Sequence, residues 1–223
     1  MAARTHAVYA AGVKNLREGS VSRATAWDQT YAERGATAVS WYEAGPRMSL
    51  EIVEELRVPV DQAVIDVGGG AAALASELVA RGHMDVTVLE ISATAITEAQ
   101  KHSPAVVKWL QADILTWRAE RTYGLWHDRA VLHFFTEESE RQAYRQSLDA
   151  GVADDGYVVL ATFAPEGPDR CSGLPVRRYS AHDLQMFLGD EYVAVIERQD
   201  DHITPSGSVQ PLTWNAFQRR APA

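Results

Sequence analysis

Apolar and polar residues recur along this chain with two periods, and the switch between them marks out its elements. Ser49–Arg57 (SLEIVEELR) sets its apolar residues at helical spacing, with Ser49 as the predicted N-cap. Ala63–Val67 (AVIDV) is a short β-rich run stopped by Gly68, Gly69 and Gly70. Ala71–Arg81 reads as helix, and Gly82 ends it, because glycine tolerates the backbone turn that closes a helix. Strand Val86–Glu90 and helix Ser92–His102 follow, the helix opened by a serine cap and closed before Pro104. Then come strands Val106–Leu110 and Gly124–Asp128, helix Glu137–Ala150 and strand Tyr157–Phe163. Helix Ala181–Leu188, strand Tyr192–Glu197 and a last run Leu212–Gln218 complete the pattern. Strands alternating with helices call for parallel crossover units, which predicts an α/β fold with an open, doubly wound sheet covered on both faces. The last two strands have only a loop between them and are expected to form an antiparallel hairpin.

Composition narrows the class. The chain has 223 residues, 46% of them hydrophobic, and a net charge of −9 from 21 basic and 30 acidic residues. That length suits one domain and buries a large core without staples. No repeat or Pro/Gly/Ser linker divides it, so residues 1–25 are read as an N-terminal extension and 26–223 as one domain, with 26–57 as a lid. The opening MAARTHAVYAAGVKNLREGS lacks the apolar stretch of a secretory signal. Arg4, Lys14 and Arg17 ahead of Glu18 fit a transit peptide less well than an amphipathic helix or frayed terminus. Cys171 is the only cysteine, so a disulfide framework is excluded and the cytoplasm is the expected compartment. No run approaches the ~20 apolar residues of a membrane span. The acidic balance argues against nucleic acid as a partner. The seven histidines are scattered, so no metal is expected. A monomer or homodimer is expected.

Candidate chemistry lies at the strand ends. In open α/β sheets ligands sit beyond the carboxyl ends of the strands. The first strand ends in Asp66-Val67-Gly68-Gly69-Gly70, where glycine lets the backbone turn and approach a ligand closely. The second ends in Glu90, suited to ribose hydroxyls. After the third, Gln111-Ala112-Asp113-Ile114 offers a carboxylate to an exocyclic amine and Ile114 to a ring face. Three acids at three successive strand ends outline an adenosine pocket. Gly68–Ala73 also satisfies the dinucleotide fingerprint, but Asp66 would repel a pyrophosphate and would instead favour a cationic ligand.

The stretch VIDVGGG…VTVLEIS…LQADI resembles the nucleotide half of class I S-adenosylmethionine-dependent methyltransferases, over roughly Trp27 to Arg219. WHDRAVLHFF and FAPEGPDRCSGLPVRRY resemble small bacterial-type members. The resemblance implies a Rossmann-like seven-stranded sheet of order 3-2-1-4-5-7-6 with an antiparallel C-terminal strand. It implies S-adenosylmethionine as cofactor and S-adenosylhomocysteine as product. Asp66, Gly68, Gly69 and Gly70 would then hold the methionine portion, Glu90 and Ile91 the ribose, and Ala112, Asp113 and Ile114 the adenine. His127 joins that cofactor set. Many members carry a third glycine where Ala72 stands here.

The methyl group should lie beyond the fourth strand. Asp128 and Arg129 there are either an ion pair or substrate contacts, and His133 is either a base or a packing histidine. Trp27, Tyr31, Trp41 and Tyr42 make the N-terminal segment dense in aromatics, as a lid or a capping helix would be. Arg47 either reaches the cofactor carboxylate from that lid or lies on the surface. The long Ala164–Tyr179 connection brings Arg170, Cys171, Arg177, Arg178 and Tyr179 after the fifth strand, on the substrate side. Small size favours a small-molecule acceptor. A protein methyltransferase of the same fold, an NAD(P)-dependent oxidoreductase and a non-catalytic cofactor-binding module are the competing readings.

Overall fold

A computed structural model describes residues 22–71 and 73–221, so the expectations for residues 1–21 and Ala72 lie outside the described residues. In chain order the helices are α1 (Arg23–Arg34), α2 (Arg47–Leu56), α3 (Leu74–Ala80), α4 (Ala93–Gln100), α5 (Glu138–Gly151) and α6 (Ala181–Leu188). The strands are β1 (Val64–Val67), β2 (Val86–Glu90), β3 (Lys108–Gln111), β4 (Tyr123–Arg129), β5 (Val152–Phe163), β6 (Arg170–Cys171), β7 (Leu174–Pro175), β8 (Tyr192–Ile203) and β9 (Val209–Arg219). Seven strands form one sheet of order β3-β2-β1-β4-β5-β9-β8, the expected arrangement once the small β6–β7 hairpin is set aside. β1 to β5 run parallel, and β9 pairs antiparallel with both β5 and β8.

Strand alternation explains what lies on each face. Val64, Leu125 and Val159 pack with α2 and α3 residues such as Ile52 and Leu78 on one side. Ile65, Val67, Trp126 and Leu160 pack with Tyr144, Leu148 and Leu184 of α5 and α6 on the other. Successive residues point to opposite faces, so a fully covered sheet must be apolar throughout, as β1 and β2 nearly are.

Several element boundaries differ from the sequence reading. Helix α2 starts at Arg47 with Pro46 as its N-cap, so Ser49 does not cap it; Ser49 lies inside the first turn and is buried. Proline before the first helical residue is enough to open a helix without a side-chain acceptor. Helix α1 had no counterpart in the periodicity, because the stripe it turns inward, Arg23, Trp27 and Tyr31, mixes a charge with aromatics. It is capped by Ser22, whose hydroxyl accepts from Thr25 N–H at 3.2 Å, and is stopped by Gly35 at φ 73°. The expected serine cap of α4 is observed at Ser92. β8 and β9 each extend well beyond their expected limits and pair from Tyr192↔Arg219 to Ile203↔Val209. The long connection after β5 folds back as the β6–β7 hairpin, with Ser172 and Gly173 at φ 51° and 80° in its turn. Among the described residues no helix is long and apolar enough to cross a membrane.

Candidate active site

The carboxyl ends of β1, β2 and β3 open on a cavity of about 410 Å³. Glu90, Ile91, Ala112, Asp113 and Ile114 form one wall, and Val67 with Gly68 forms the floor. Arg23, Trp27 and Tyr31 hang from α1 above it at i, i+4 and i+8 spacing, which places all three on one helix face. Trp41 completes the roof, and Arg129, Ala130, Phe134, Cys171 and Leu174 close the far end. A smaller recess of about 50 Å³ adjoins it beyond the glycine turn, bounded by Ser49, Asp66, Gly69, His127 and Glu43. Tyr31, Trp41 and Arg129 border both.

The glycine turn is shaped for close approach. Gly68 and Gly70 have φ 64° and 53°, where a side chain would strain the backbone. A Cβ on Gly69 would stand 2.5 Å from Asp66 Oδ2, and one on Gly70 would stand 2.5 Å from the Tyr31 hydroxyl. The turn can therefore carry nothing larger than hydrogen where the acids converge.

Electrostatics set the character of the site. Glu90 is buried; burial pushes its pKa up to about 7, and the Asp66 charge pushes the same way. Backbone N–H groups of Ser92, Gly70 and Ile91 oppose that shift, and Ser92 N–H donates to Glu90 Oε1 at 2.8 Å. Asp66 Oδ1 meets His127 Nδ1 at 2.7 Å, and His127 Nε2 meets Ser49 Oγ at 3.0 Å. Asp113 accepts from Leu115 N–H at 3.0 Å and faces Arg23 at 3.7 Å. Arg23 is held chiefly by Glu140, at 2.6 Å. Two acids that repel each other across a glycine turn suit a ligand that brings a cation to one and hydroxyls to the other.

Beyond β4 the structure separates Asp128 from Arg129. Alternation sends Arg129 to the face shared with Asp66 and His127, and Asp128 to the opposite face. Asp128 Oδ1 accepts from Val131 N–H at 2.8 Å, and Oδ2 accepts from Leu132 N–H at 3.1 Å and the Tyr144 hydroxyl at 2.6 Å. It is fully buried in the α5 core and does not reach the cavity, so the structure does not place it against an acceptor or in an ion pair with Arg129. His133 is likewise buried between Phe134 and Phe163, with ring centroids 4.5 and 4.6 Å away. Burial and the Arg129 charge lower its pKa to about 3, so it is neutral at physiological pH and is not placed as a base in the cavity.

Arg129 faces inward and ties the roof down. Its Nη1 donates to the Trp41 carbonyl at 2.9 Å, and its Nη2 meets Glu43 Oε1 at 2.9 Å and His202 Nδ1 at 3.2 Å. His202 Nε2 lies 2.7 Å from the Ser40 carbonyl, so the donor order runs from Arg129 to His202 to Ser40. Glu43, His202 and Arg23 carried no sequence motif, although the Arg23-Trp27-Tyr31 spacing could have announced a cavity-facing stripe.

The remaining expected residues divide. Trp27 stacks edge-on against Trp41 and Phe134 at 5.5 and 5.2 Å, and Tyr42 lines the smaller recess. Cys171 borders the cavity, and burial pushes its thiol up to about 11. Arg47 instead points outward, paired with Asp200 at 2.8 Å and Glu51 at 3.1 Å, so it does not reach the site. Arg177 lies over the Tyr179 ring at 5.2 Å, and neither borders the cavity; Tyr179 is core. Arg170 and Arg178 donate to the Gly173 and Gly167 carbonyls of their own loop. Among the described residues no group of three or more His, Cys, Asp or Glu side chains is placed to hold a metal ion.

With this geometry in place, the family profile described as a methyltransferase domain matches residues 64–151. The match runs from β1 to the end of α5 and so contains all three strand-end acids. No curated protein sequence matches the chain. Among solved structures, the methyltransferase fold recurs in an S-adenosylmethionine-dependent methyltransferase from Anabaena variabilis, at 16% identity and TM-score 0.71, covering 90% of this chain and 96% of that one. The N-methyltransferase NodS from Bradyrhizobium japonicum, solved with S-adenosylhomocysteine, superposes with TM-score 0.65 at 16% identity, covering 86% and 97%. The 1,6-didemethyltoxoflavin-N1-methyltransferase of Burkholderia thailandensis, solved with its acceptor and S-adenosylhomocysteine, gives TM-score 0.63 at 16% identity, covering 98% and 88%. At these identities the likeness is one of fold. The chain thus shares the fold of S-adenosylmethionine-dependent methyltransferases, and the family match lies within residues 64–151.

Proposed function

We propose that this enzyme transfers the methyl group of S-adenosylmethionine to a small-molecule acceptor by in-line displacement, releasing S-adenosylhomocysteine. Glu90 and Asp113 line the cavity, Asp66 lines the adjoining recess, and a side-chain-free glycine turn lies between Asp66 and Glu90; this placement carries the reading. Asp66 would hold the ammonium, Glu90 the ribose hydroxyls and Asp113 the adenine amine, with Ile91, Ala112 and Ile114 against the adenosine rings. When bound there, S-adenosylmethionine supplies a methyl group made electrophilic by its sulfonium. The chain's contribution is position and dryness: Trp27, Trp41 and Phe134 exclude water, and Arg129 holds Trp41 over the cavity. A pyrophosphate-bearing dinucleotide suits the turn poorly, since Asp66 would face it with like charge.

A small acceptor is supported by the roof. Helix α1 lies across the cavity and is pinned by Asp28, which accepts from Ser92 Oγ at 2.7 Å and from Thr94 N–H at 2.9 Å. A cavity roofed by a helix suits a metabolite, whereas a polypeptide needs an open groove. The Burkholderia enzyme, solved with bound 1,6-didemethyltoxoflavin, has the same fold. An assay for S-adenosylhomocysteine release over thiols, amines, phenols and carboxylates tests the acceptor class. Turnover with small compounds is expected. Turnover only with polypeptide acceptors contradicts the proposal.

A further inference from the structure

Asp66 is useful to a ligand only if one of its oxygens is free and aimed. The structure contains an arrangement that does this. His127 Nδ1 takes Asp66 Oδ1 at 2.7 Å, which leaves Oδ2 on the side of Gly69, where a Cβ would stand 2.5 Å from it. His127 Nε2 meets Ser49 Oγ at 3.0 Å. A carboxylate oxygen accepts, so Nδ1 is the donor to Oδ1, and Nε2 is left to pair with the Ser49 hydroxyl. Asp66 and His127 sit side by side on β1 and β4, paired in register, and Ser49 comes from the first turn of α2 beneath them. All three side chains are buried, His127 at 2% and Ser49 at 1% exposure.

The same connectivity serves as a nucleophile relay in hydrolases. Here Ser49 faces only the recess of about 50 Å³, which has no room for an acyl group beside it. The relay runs the other way, from Ser49 through His127 to the carboxylate.

We infer that His127 and Ser49 are positioning residues that fix the Asp66 carboxylate so that Oδ2 receives the ammonium of the cofactor's methionine tail. This rests on the cofactor reading proposed above. In this reading His127, expected among the cofactor-binding residues, stands behind Asp66 and acts through it. Ser49, expected as a helix cap, has its hydroxyl free for this role because Pro46 opens α2. A carboxylate held by one hydrogen bond keeps its second oxygen in one place, so that little ordering remains to be done when the ligand arrives.

The test compares two ligands that differ only in the tail. S-adenosylhomocysteine carries the amino acid portion, and 5′-methylthioadenosine lacks it while keeping the adenosine and the sulfur. For His127→Ala, calorimetry should show S-adenosylhomocysteine affinity reduced about tenfold with methylthioadenosine affinity unchanged. His127→Asn keeps a donor at the Nδ1 position and should restore most of the loss; it also covers the case in which the alanine variant fails to fold. Ser49→Ala should give a smaller loss, again confined to S-adenosylhomocysteine. Equal losses for both ligands, or no loss for either, overturn the inference. Asp66→Asn serves as the reference: if it fails to discriminate the two ligands, the cofactor reading itself is wrong, whereas discrimination by Asp66→Asn alone rejects only the role given to His127 and Ser49.

Discussion

Glu90 has a pKa that depends on its burial and on Asp66, and that gives its function a pH dependence. A carboxyl raised to about 7 is half protonated near neutrality, and only the ionised form accepts from both ribose hydroxyls. Affinity for S-adenosylhomocysteine should therefore rise as pH goes from about 6 to 8, and Glu90→Gln should flatten that rise while lowering affinity; titrations at several pH values decide it. The sign for stability is opposite. The folded state holds the proton longer than the unfolded chain, so Glu90's contribution to stability falls as pH rises from about 4.5 to 7. Gly69 offers a test by shape alone, because its φ is not in the left-handed region. Gly69→Ala places a methyl 2.5 Å from Asp66 Oδ2 and 2.8 Å from Val88, and should weaken cofactor binding about tenfold or more, measured by calorimetry, with a drop in Tm as well because both neighbours are buried. Asp128→Ala should act chiefly on stability. It strands two backbone N–H groups and the Tyr144 hydroxyl, and so should cost about 2–4 kcal/mol in urea unfolding. At this scale the sequence was legible where chemistry follows chain position: Asp66, Glu90 and Asp113 stand at strand ends, as their neighbours required. It was not legible for Asp128 and His133, whose direction depends on which face of β4 a residue takes and on what that face packs against.

Among the elements, α1 decides whether the cavity is open. Its docking depends on Asp28, which adds a second acceptor at the amino end of α4, taking the Ser92 hydroxyl and the Thr94 N–H beside the Ser92 cap, while Arg23 joins Glu140 across the mouth. Asp28→Ala should loosen the helix and raise the dissociation rate of S-adenosylhomocysteine several-fold, read by stopped-flow tryptophan fluorescence through Trp27 and Trp41. An unchanged rate would mean that α1 does not move with ligand exchange. The parallel core from β1 to β5 was readable because each strand is a short β-rich run flanked by glycine or a helix cap. Helix α1 was missed because a stripe of Arg23, Trp27 and Tyr31 is neither an apolar face nor a charged one; its purpose is to line a cavity, and periodicity scores only burial in a core. The lengths of β8 and β9 were missed for a related reason. The outer half of β8, including Asp200 and Asp201, pairs with β9 by backbone hydrogen bonds that side-chain hydropathy does not report.

At the scale of the molecule, the net charge of −9 excludes little until it is given an address. Part of that excess stands at one sheet edge, where Asp66 and Glu90 lie on either side of the glycine turn, whereas surface acids such as Asp85, paired with Lys108 and Arg121, add nothing to it. A doubly wound sheet gathers its strand ends at one edge, so one fold places the acids, the turn and the roof together. The measurement that bears most directly on this account is calorimetric titration of the purified protein with S-adenosylhomocysteine and, separately, with NAD. Binding of S-adenosylhomocysteine at one site per chain, lost or strongly weakened in Glu90→Ala, with no heat from NAD, is the predicted result. Binding of NAD without binding of S-adenosylhomocysteine contradicts it.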